Sequence, residues 1–447
     1  MPSLHSLCVL TLVTLALAAP APAPENAPLQ KRSFKVERVP NPHFKRSPGA
    51  GHRALLNAHR KYSIPLPPGL LDVINSVQLS EDEATPLTNG KVGNVKTKGN
   101  KSRPAGASAP GAAASNVSAA AGTGIVTATP ERGDVEYLAP VTIGGQTMNL
   151  NFDSGSSDLW IFNTQLSVAS QKGHTNFDPA KSATFKAMPG ATFSISYGDG
   201  SGASGNVGTD TVDIGGVSVK NQAIELATAV SASFVADANS NGLVGLAFSK
   251  LNTVKPQKQK TFFDNVMPSL AEPVFTADLR KAAVGAYEFG RIDTARFNGS
   301  LTWTPVNTTQ GFWQVTSQKF QVGSRTAITV PGAQAIADTG TTLMLVNDAV
   351  VNAYYSQVSG AVKETSGVVF PCNAKLPDLS VDINGAYMAV VKGSDINFAP
   401  ADNTGTTCFG GVQSIASNLQ IYGDIMFKSQ FVAFHGGNNS LGMAPHQ

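Results

Sequence analysis

Two short loops of the same chemistry constrain this chain more than anything else in it. At 153–157 the sequence reads DSGSS, directly after the alternating apolar residues Met148, Leu150 and Phe152. That alternation predicts a strand with one buried face, ending on Asp153. At 338–342 it reads DTGTT, after Ile336 and Ala337. The aspartates are 185 residues apart, and each is followed at a similar interval by two apolar residues and a glycine. Leu243-Val244-Gly245 ends 92 residues after Asp153, and Ile421-Tyr422-Gly423 ends 85 residues after Asp338. A single Asp-Ser-Gly is ordinary turn chemistry. Its recurrence inside a longer repeat is not, and it predicts two lobes that each deliver one Asp-hydroxyl-Gly loop.

The rest of the chain predicts an all-β protein around those loops. Its 43 glycines, 27 prolines and 14% charged residues separate short apolar stretches. The Gly pairs at 144–145 and 215–216 read as hairpin turns. Helices are expected to be few. DAVVNAYYSQV at 348–358 is the clearest, with Asn347 as its N-cap. The stretch SLTWTPVNTTQG at 300–311 is the expected junction between lobes.

The segments DSGSSDLW, SISYGDGSG and ADTGTTLM resemble the pepsin-like aspartic endopeptidases. Their finer spacing is similar to the secreted fungal acid proteases of the penicillopepsin and endothiapepsin type, over about residues 121–447. The one departure is Ser154, where the family commonly has threonine, and it keeps the hydroxyl. The resemblance implies a bilobal all-β fold, with an N-terminal lobe at 121–305 and a C-terminal lobe at 306–447. It implies that Asp153 and Asp338 form a catalytic pair. Two close carboxylates cannot easily both ionise, so one proton is shared and the pair titrates as a unit. The aspartic-protease dyad is the standard instance of that logic. The ionised member would take a proton from water, and the protonated member would donate to the developing oxyanion.

Around that pair, Gly155 and Gly340 let the backbone crowd the carboxylates. By the family's pattern Ser156 and Thr341 hydrogen-bond their outer oxygens. In TFSISYGDGSG the alternating Phe193, Ile195 and Tyr197 precede the turn Gly198-Asp199-Gly200, which reads as a mobile hairpin tip. By resemblance Tyr197 closes over substrate with its hydroxyl held by the Trp160 indole. Asp199 at the tip would accept a lysine before the scissile bond. Phe234, Asp237 and Leu243 match positions lining the pocket for the residue before that bond; Phe234 and Leu243 read equally as core. No cofactor or metal is implied, since two cysteines without a histidine partner make a poor zinc site. His174 and His435 lie in no nucleophilic-triad motif.

The front of the chain reads as address and lock. Residues 8–19, CVLTLVTLALAA, are too short to span a bilayer and carry an A-x-A site, which predicts a signal peptide at 1–18. Secretion leaves Cys372 and Cys408, which most simply pair, as the fungal family's bridge in this region implies; two inert buried thiols are the alternative. Asn298, Asn307 and Asn438 begin glycosylation sequons. Residues 20–120 carry 14 Lys and Arg against 6 Asp and Glu, whereas 121–447 carry 19 against 24. The basic segment suits the acidic body as its partner better than nucleic acid or a membrane. Residues 19–120 are therefore expected to be a propeptide, with a Gly-, Ala- and Ser-rich linker over 84–120. NAHRKYSIPLP at 57–67 resembles the propeptide core of these enzymes, which implies Lys61 between the two aspartates with Tyr62 beside it.

The expected protein is thus a monomeric, extracellular acid endopeptidase that acts on polypeptides at bulky apolar residues. A vacuolar enzyme is the nearer alternative. A catalytically dead binding protein on the same fold is the other, and it would be marked by loss of an aspartate, a loop hydroxyl or the flap tyrosine. All are present.

Overall fold

The computed structural model describes residues 33–38, 48–78, 125–128, 137–196, 202–281, 285–325 and 327–447. The expected signal peptide at 1–18, the expected linker at 84–120 and the expected mature start near Ala121 lie outside the described residues. Residues Lys31–Gln447 form one compact unit.

The duplicated sequence folds as a duplicated strand arrangement. In the first copy Gln146–Asp153 runs parallel to Gly242–Gly245, which runs antiparallel to Leu159–Ile161. In the second, Gln334–Ala337 runs parallel to Leu419–Tyr422, which runs antiparallel to Met344–Val346. The register matches too: Asp153 lies opposite Gly245, and Ala337 opposite Tyr422, one residue before Gly423. These glycines have a packing reason. A Cβ on Gly245 would sit 2.5 Å from Ser157 Cα, and one on Gly423 would run into the Thr341 carbonyl oxygen. The glycine that closes each repeat therefore lets the third strand slide beneath the aspartate loop.

Met148, Leu150 and Phe152 are all buried, each contributing about 1.5–3 kcal/mol by removal from water. Their strand belongs to a seven-stranded sheet that also holds Leu138–Ile143, Gly242–Gly245, Leu159–Ile161, Val217–Val230, Gly202–Ile214 and Lys186–Ser196. An extra pairing of Leu138–Ile143 with Gly202–Ile214 closes this sheet on itself. Both expected Gly-Gly turns are present, with positive φ at Gly144, Gly145, Gly215 and Gly216. The second copy sits in a five-stranded sheet flanked by two four-stranded sheets. A further seven-stranded sheet joins strands from the two halves, with Thr302–Pro305 at one edge and Phe34–Arg38 and Ile125–Ala128 at the other.

The core is thus mixed sheet and closed barrel with several short helices, so "all-β" describes its bulk but not all of it. The helix expected at 348–358 runs Asp348–Tyr355, with Asn347 Oδ1 accepting from Ala349 N at 2.9 Å. It stops early because Gln357 N and Val358 N bond three residues back, to Tyr354 O and Tyr355 O, before Gly360 turns at φ 74°. Two helices ahead of the first lobe, Ala50–Lys61 and Leu70–Gln78, are not apparent in the sequence reading. Cys372 and Cys408 form a disulfide. It sits beside the antiparallel pairing of Gly367–Pro371 with Thr407–Gly410. Among the described residues no helix is long and apolar enough to cross a membrane.

Candidate active site

The two aspartate loops meet back to back, and four hydrogen bonds lock them. Ser154 N donates to Thr339 Oγ1 at 3.1 Å, and Thr339 N donates to Ser154 Oγ at 2.9 Å. Each hydroxyl then donates across to the other strand, Ser154 Oγ to Ala337 O at 2.9 Å and Thr339 Oγ1 to Phe152 O at 2.8 Å. Every polar atom in this buried tie has a partner, as burial requires. The departure at Ser154 leaves the tie intact, because only the hydroxyl takes part in it.

Beyond the tie, Asp153 and Asp338 lie side by side and both are fully buried. Gly155 N donates to Asp153 Oδ1 at 2.8 Å and Gly340 N to Asp338 Oδ1 at 2.9 Å. Ser156 Oγ donates to Asp153 Oδ2 at 2.5 Å, and Thr341 Oγ1 donates to Asp338 Oδ2. Each carboxylate therefore receives one amide and one hydroxyl from its own loop. The glycines are required by the partner loop: a Cβ on Gly155 would lie 2.5 Å from Asp338 Oδ1, and one on Gly340 would run into Asp153 Oδ1. Two loops with side chains at these positions could not approach.

Lys61 fills the space between the carboxylates. Its Nζ lies 2.6 Å from Asp153 Oδ1 and 2.8 and 2.9 Å from the two Asp338 oxygens. Tyr62 OH donates to Asp338 Oδ2. Burial disfavours the Lys61 charge, but the two carboxylates outweigh it and raise its pKa. Burial pushes Asp153 up to about 6, with Lys61 opposing and the Asp338 charge adding to the rise. Asp338 is also pressed upward by burial, yet the ammonium and its hydrogen bonds win and hold it below the usual carboxylate range. Both carboxylates face one ammonium and each other, so they titrate as a unit, and falling pH loads a proton onto the pair.

A cavity of about 110 Å³ opens beside Asp153. Phe234, Asp237 and Leu243 line it, together with Lys61 and Gly340. Trp160 is buried, with the Phe234 ring edge-on at 5.1 Å. Its Nε1 has no partner among the described residues. Tyr197, Gly198 and Asp199 lie outside the described residues. The hairpin beneath them is present, with Lys186–Ser196 paired to Gly202–Ile214 as far as Ser196 opposite Gly202. Among the described residues no cluster of His, Cys, Asp or Glu could hold a metal ion.

Several residues of the site escape the sequence reading. Asn57, Arg60, Asn151 and Ser233 also line the cavity. Asn151 carried a usable signal, since it precedes Asp153 by two positions on a strand and so shares its face. Ser154 and Thr339 carried none, because each looks locally like part of a turn.

Residues 136–446 match the model of the eukaryotic aspartyl protease family. The aspartic protease PEP3 of Coccidioides posadasii is 46% identical, across 94% of this chain and 91% of its own. Penicillopepsin-1 of Penicillium janthinellum is 51% identical, across 73% of this chain and 99% of its own. Aspergillopepsin-1 of Aspergillus oryzae is 48% identical, across 73% of this chain and 80% of its own.

Proposed function

The chain belongs to the pepsin-like aspartic endopeptidases and is an enzyme of that type; from that premise we propose that it is a secreted zymogen whose Asp153 and Asp338 activate water for peptide hydrolysis at acidic pH. The observation that carries this reading is the pair itself: two fully buried carboxylates, each held by one amide and one hydroxyl, with a single ammonium between them.

Once Lys61 leaves, its place between the carboxylates is free for water. The ionised aspartate takes a proton from that water as it attacks the peptide carbonyl. The protonated one donates to the oxyanion, and a proton then passes to the leaving nitrogen. Gly155 N, Gly340 N and the Ser156 and Thr341 hydroxyls fix the oxygens in position, so little reorganisation accompanies the reaction. The apolar walls supplied by Phe234 and Leu243 favour a bulky apolar residue beside the cut, worth about 1.5–3 kcal/mol per buried side chain. Lobes at 121–305 and 306–447, a monomeric state and glycans at Asn298, Asn307 and Asn438 complete the proposal. Each of those three asparagines is exposed.

The zymogen reading rests on Lys61 and Tyr62 lying between and beside the two carboxylates, and on the opposite net charges of the basic front segment and the acidic remainder of the chain. The apolar run at 8–19 supports export. The test is to acidify the purified precursor, sequence the new N-terminus and assay a denatured protein. Cleavage near Ala121 with concurrent proteolysis supports the proposal; acid-treated protein that stays intact and inert contradicts it.

Specificity is expected to depend on Asp199. A lysine in an apolar pocket loses water without a partner, and an ionised flap carboxylate would supply one. Asp199→Ser should therefore lose a peptide with Lys before the cut by roughly tenfold or more, for about 1.4 kcal/mol of lost pairing. A matched Phe peptide should be spared. Equal losses on both peptides would mean that Asp199 shapes the flap without reading charge.

A further inference from the structure

The helix Ala50–Lys61 that delivers the bridging ammonium also buries two imidazoles against the body. His52 is 2% exposed, its ring centroid lies 4.5 Å from that of Phe409, and neither ring nitrogen has a hydrogen-bond partner among the described residues. Gly51 beside it brings the helix backbone onto the same ring, where a Cβ would collide with Phe409. Phe409 follows Cys408, so the disulfide to Cys372 braces the surface on which the helix rests. His59 is 4% exposed; its Nδ1 lies 2.8 Å from Pro65 O, and its Nε2 has no partner among the described residues.

This interface has no place for an imidazolium at His52. Besides the aspartates that hold Lys61, the elements packed most extensively on the helix among the described residues are Leu70–Gln78, Asn397–Pro400 and Thr407–Gly410. They carry one ionisable side chain, Asp72, which is exposed; Cys408 is tied up in the disulfide. The remaining charges on the helix are Arg53, Arg60 and Lys61, all cations. Burial and then Arg53 hold His52 down to about 4, and burial lowers His59 against the pull of the Pro65 and Ile64 backbone.

We propose that His52 and His59 are a pH sensor: protonation of the two imidazoles undocks the helix Ala50–Lys61 and so withdraws Lys61 from between Asp153 and Asp338. The inference rests on the zymogen reading and names its trigger. The docked helix requires neutral rings, whereas an undocked histidine takes up a proton near 6.5. Docking is therefore intact above that pH, weakens as pH falls through it, and the His52 effect levels off at about 4. In that range the aspartate pair also takes up a proton, which loosens its hold on Lys61, so the histidine contribution is the part of the pH dependence that the His52 variants remove.

The test compares conversion of the purified full-length precursor with His52→Phe, His52→Gln, His59→Asn and the His52→Phe/His59→Asn double variant between pH 4 and 7. A group titrating near 6.5 when free and about 4 when docked favours undocking by roughly 30-fold at pH 5. His52→Phe and His52→Gln should thus convert roughly 30-fold more slowly there. All forms should be latent at pH 7. The slope of log rate against pH should drop by about one proton for either His52 variant, and further for the double variant. Folding has an internal control: once converted, every variant yields the same mature enzyme and should show the same kcat/KM. Wild-type conversion rates at pH 5 in both His52 variants would overturn the inference, as would a uniform slowing at every pH with unchanged slope, which marks a packing effect. A precursor already active at neutral pH would instead remove the lock itself.

Discussion

Asp153→Asn and Asp338→Asn should each abolish proteolysis, lowering kcat by at least about 10⁴-fold, because in the proposed mechanism either change removes a proton carrier that both halves of the reaction need. Asparagine has nearly the same shape as aspartate. Its carbonyl oxygen can still accept from Gly155 N or Gly340 N, so the loops should stay assembled. The four bonds through Ser154 and Thr339 do not involve either carboxylate. The variants cannot mature themselves, so conversion must be supplied in trans by wild-type enzyme before kcat is measured. Loss of turnover with an unchanged circular-dichroism spectrum is the expected result. Near-normal turnover in either variant would sink the mechanism.

Lys61→Met should open the precursor. Among the described residues the ammonium is the one group that bonds to both carboxylates, at 2.6–2.9 Å, and its side chain is 13% exposed. Methionine fills similar volume without charge, leaving two buried carboxylates facing each other under an apolar cap. Removing one partner of a buried ion pair costs about 3–5 kcal/mol, a roughly 10²–10⁴-fold gain in the open fraction. The variant should bind a peptide carrying a tetrahedral hydroxyl at pH values where the wild-type precursor does not. It should also convert under milder acid. A Lys61→Met precursor as silent and as slow to convert as wild type would count against the lock.

What was legible in the sequence was local or repeated. Alternating apolar residues gave the strand that ends on Asp153, glycine pairs gave two hairpins, and Asn347 marked a helix start. The duplicated loops foretold paired strand arrangements, because the same short-range pattern must fold the same way twice. The tie between Ser154 and Thr339 was hidden, since it joins residues 185 positions apart whose local chemistry already fits a turn. The helix Ala50–Lys61 was hidden for a different reason. Its buried face mixes three alanines, two leucines and a glycine with two histidines, and it makes sense only against Phe409 and its neighbours. The flap and pocket readings divide along the same line: Phe234, Asp237 and Leu243 gather at one cavity with Asp153, while Tyr197, Gly198 and Asp199 lie outside the described residues.

The pH dependence of kcat/KM for the converted enzyme tests the shared-proton dyad most directly. In the precursor Asp153 is pushed up to about 6 even with Lys61 beside it. Without the ammonium, burial and the charge of Asp338 raise the pair against only the hydrogen bonds of its own loops. One proton should therefore be held through the acidic range and lost as pH rises toward neutrality. The expected profile is a bell with an acidic maximum, falling on the alkaline side as the shared proton leaves and on the acid side as the second carboxylate protonates. It should be unchanged by a metal chelator. A maximum at neutral pH that a chelator abolishes would contradict the account.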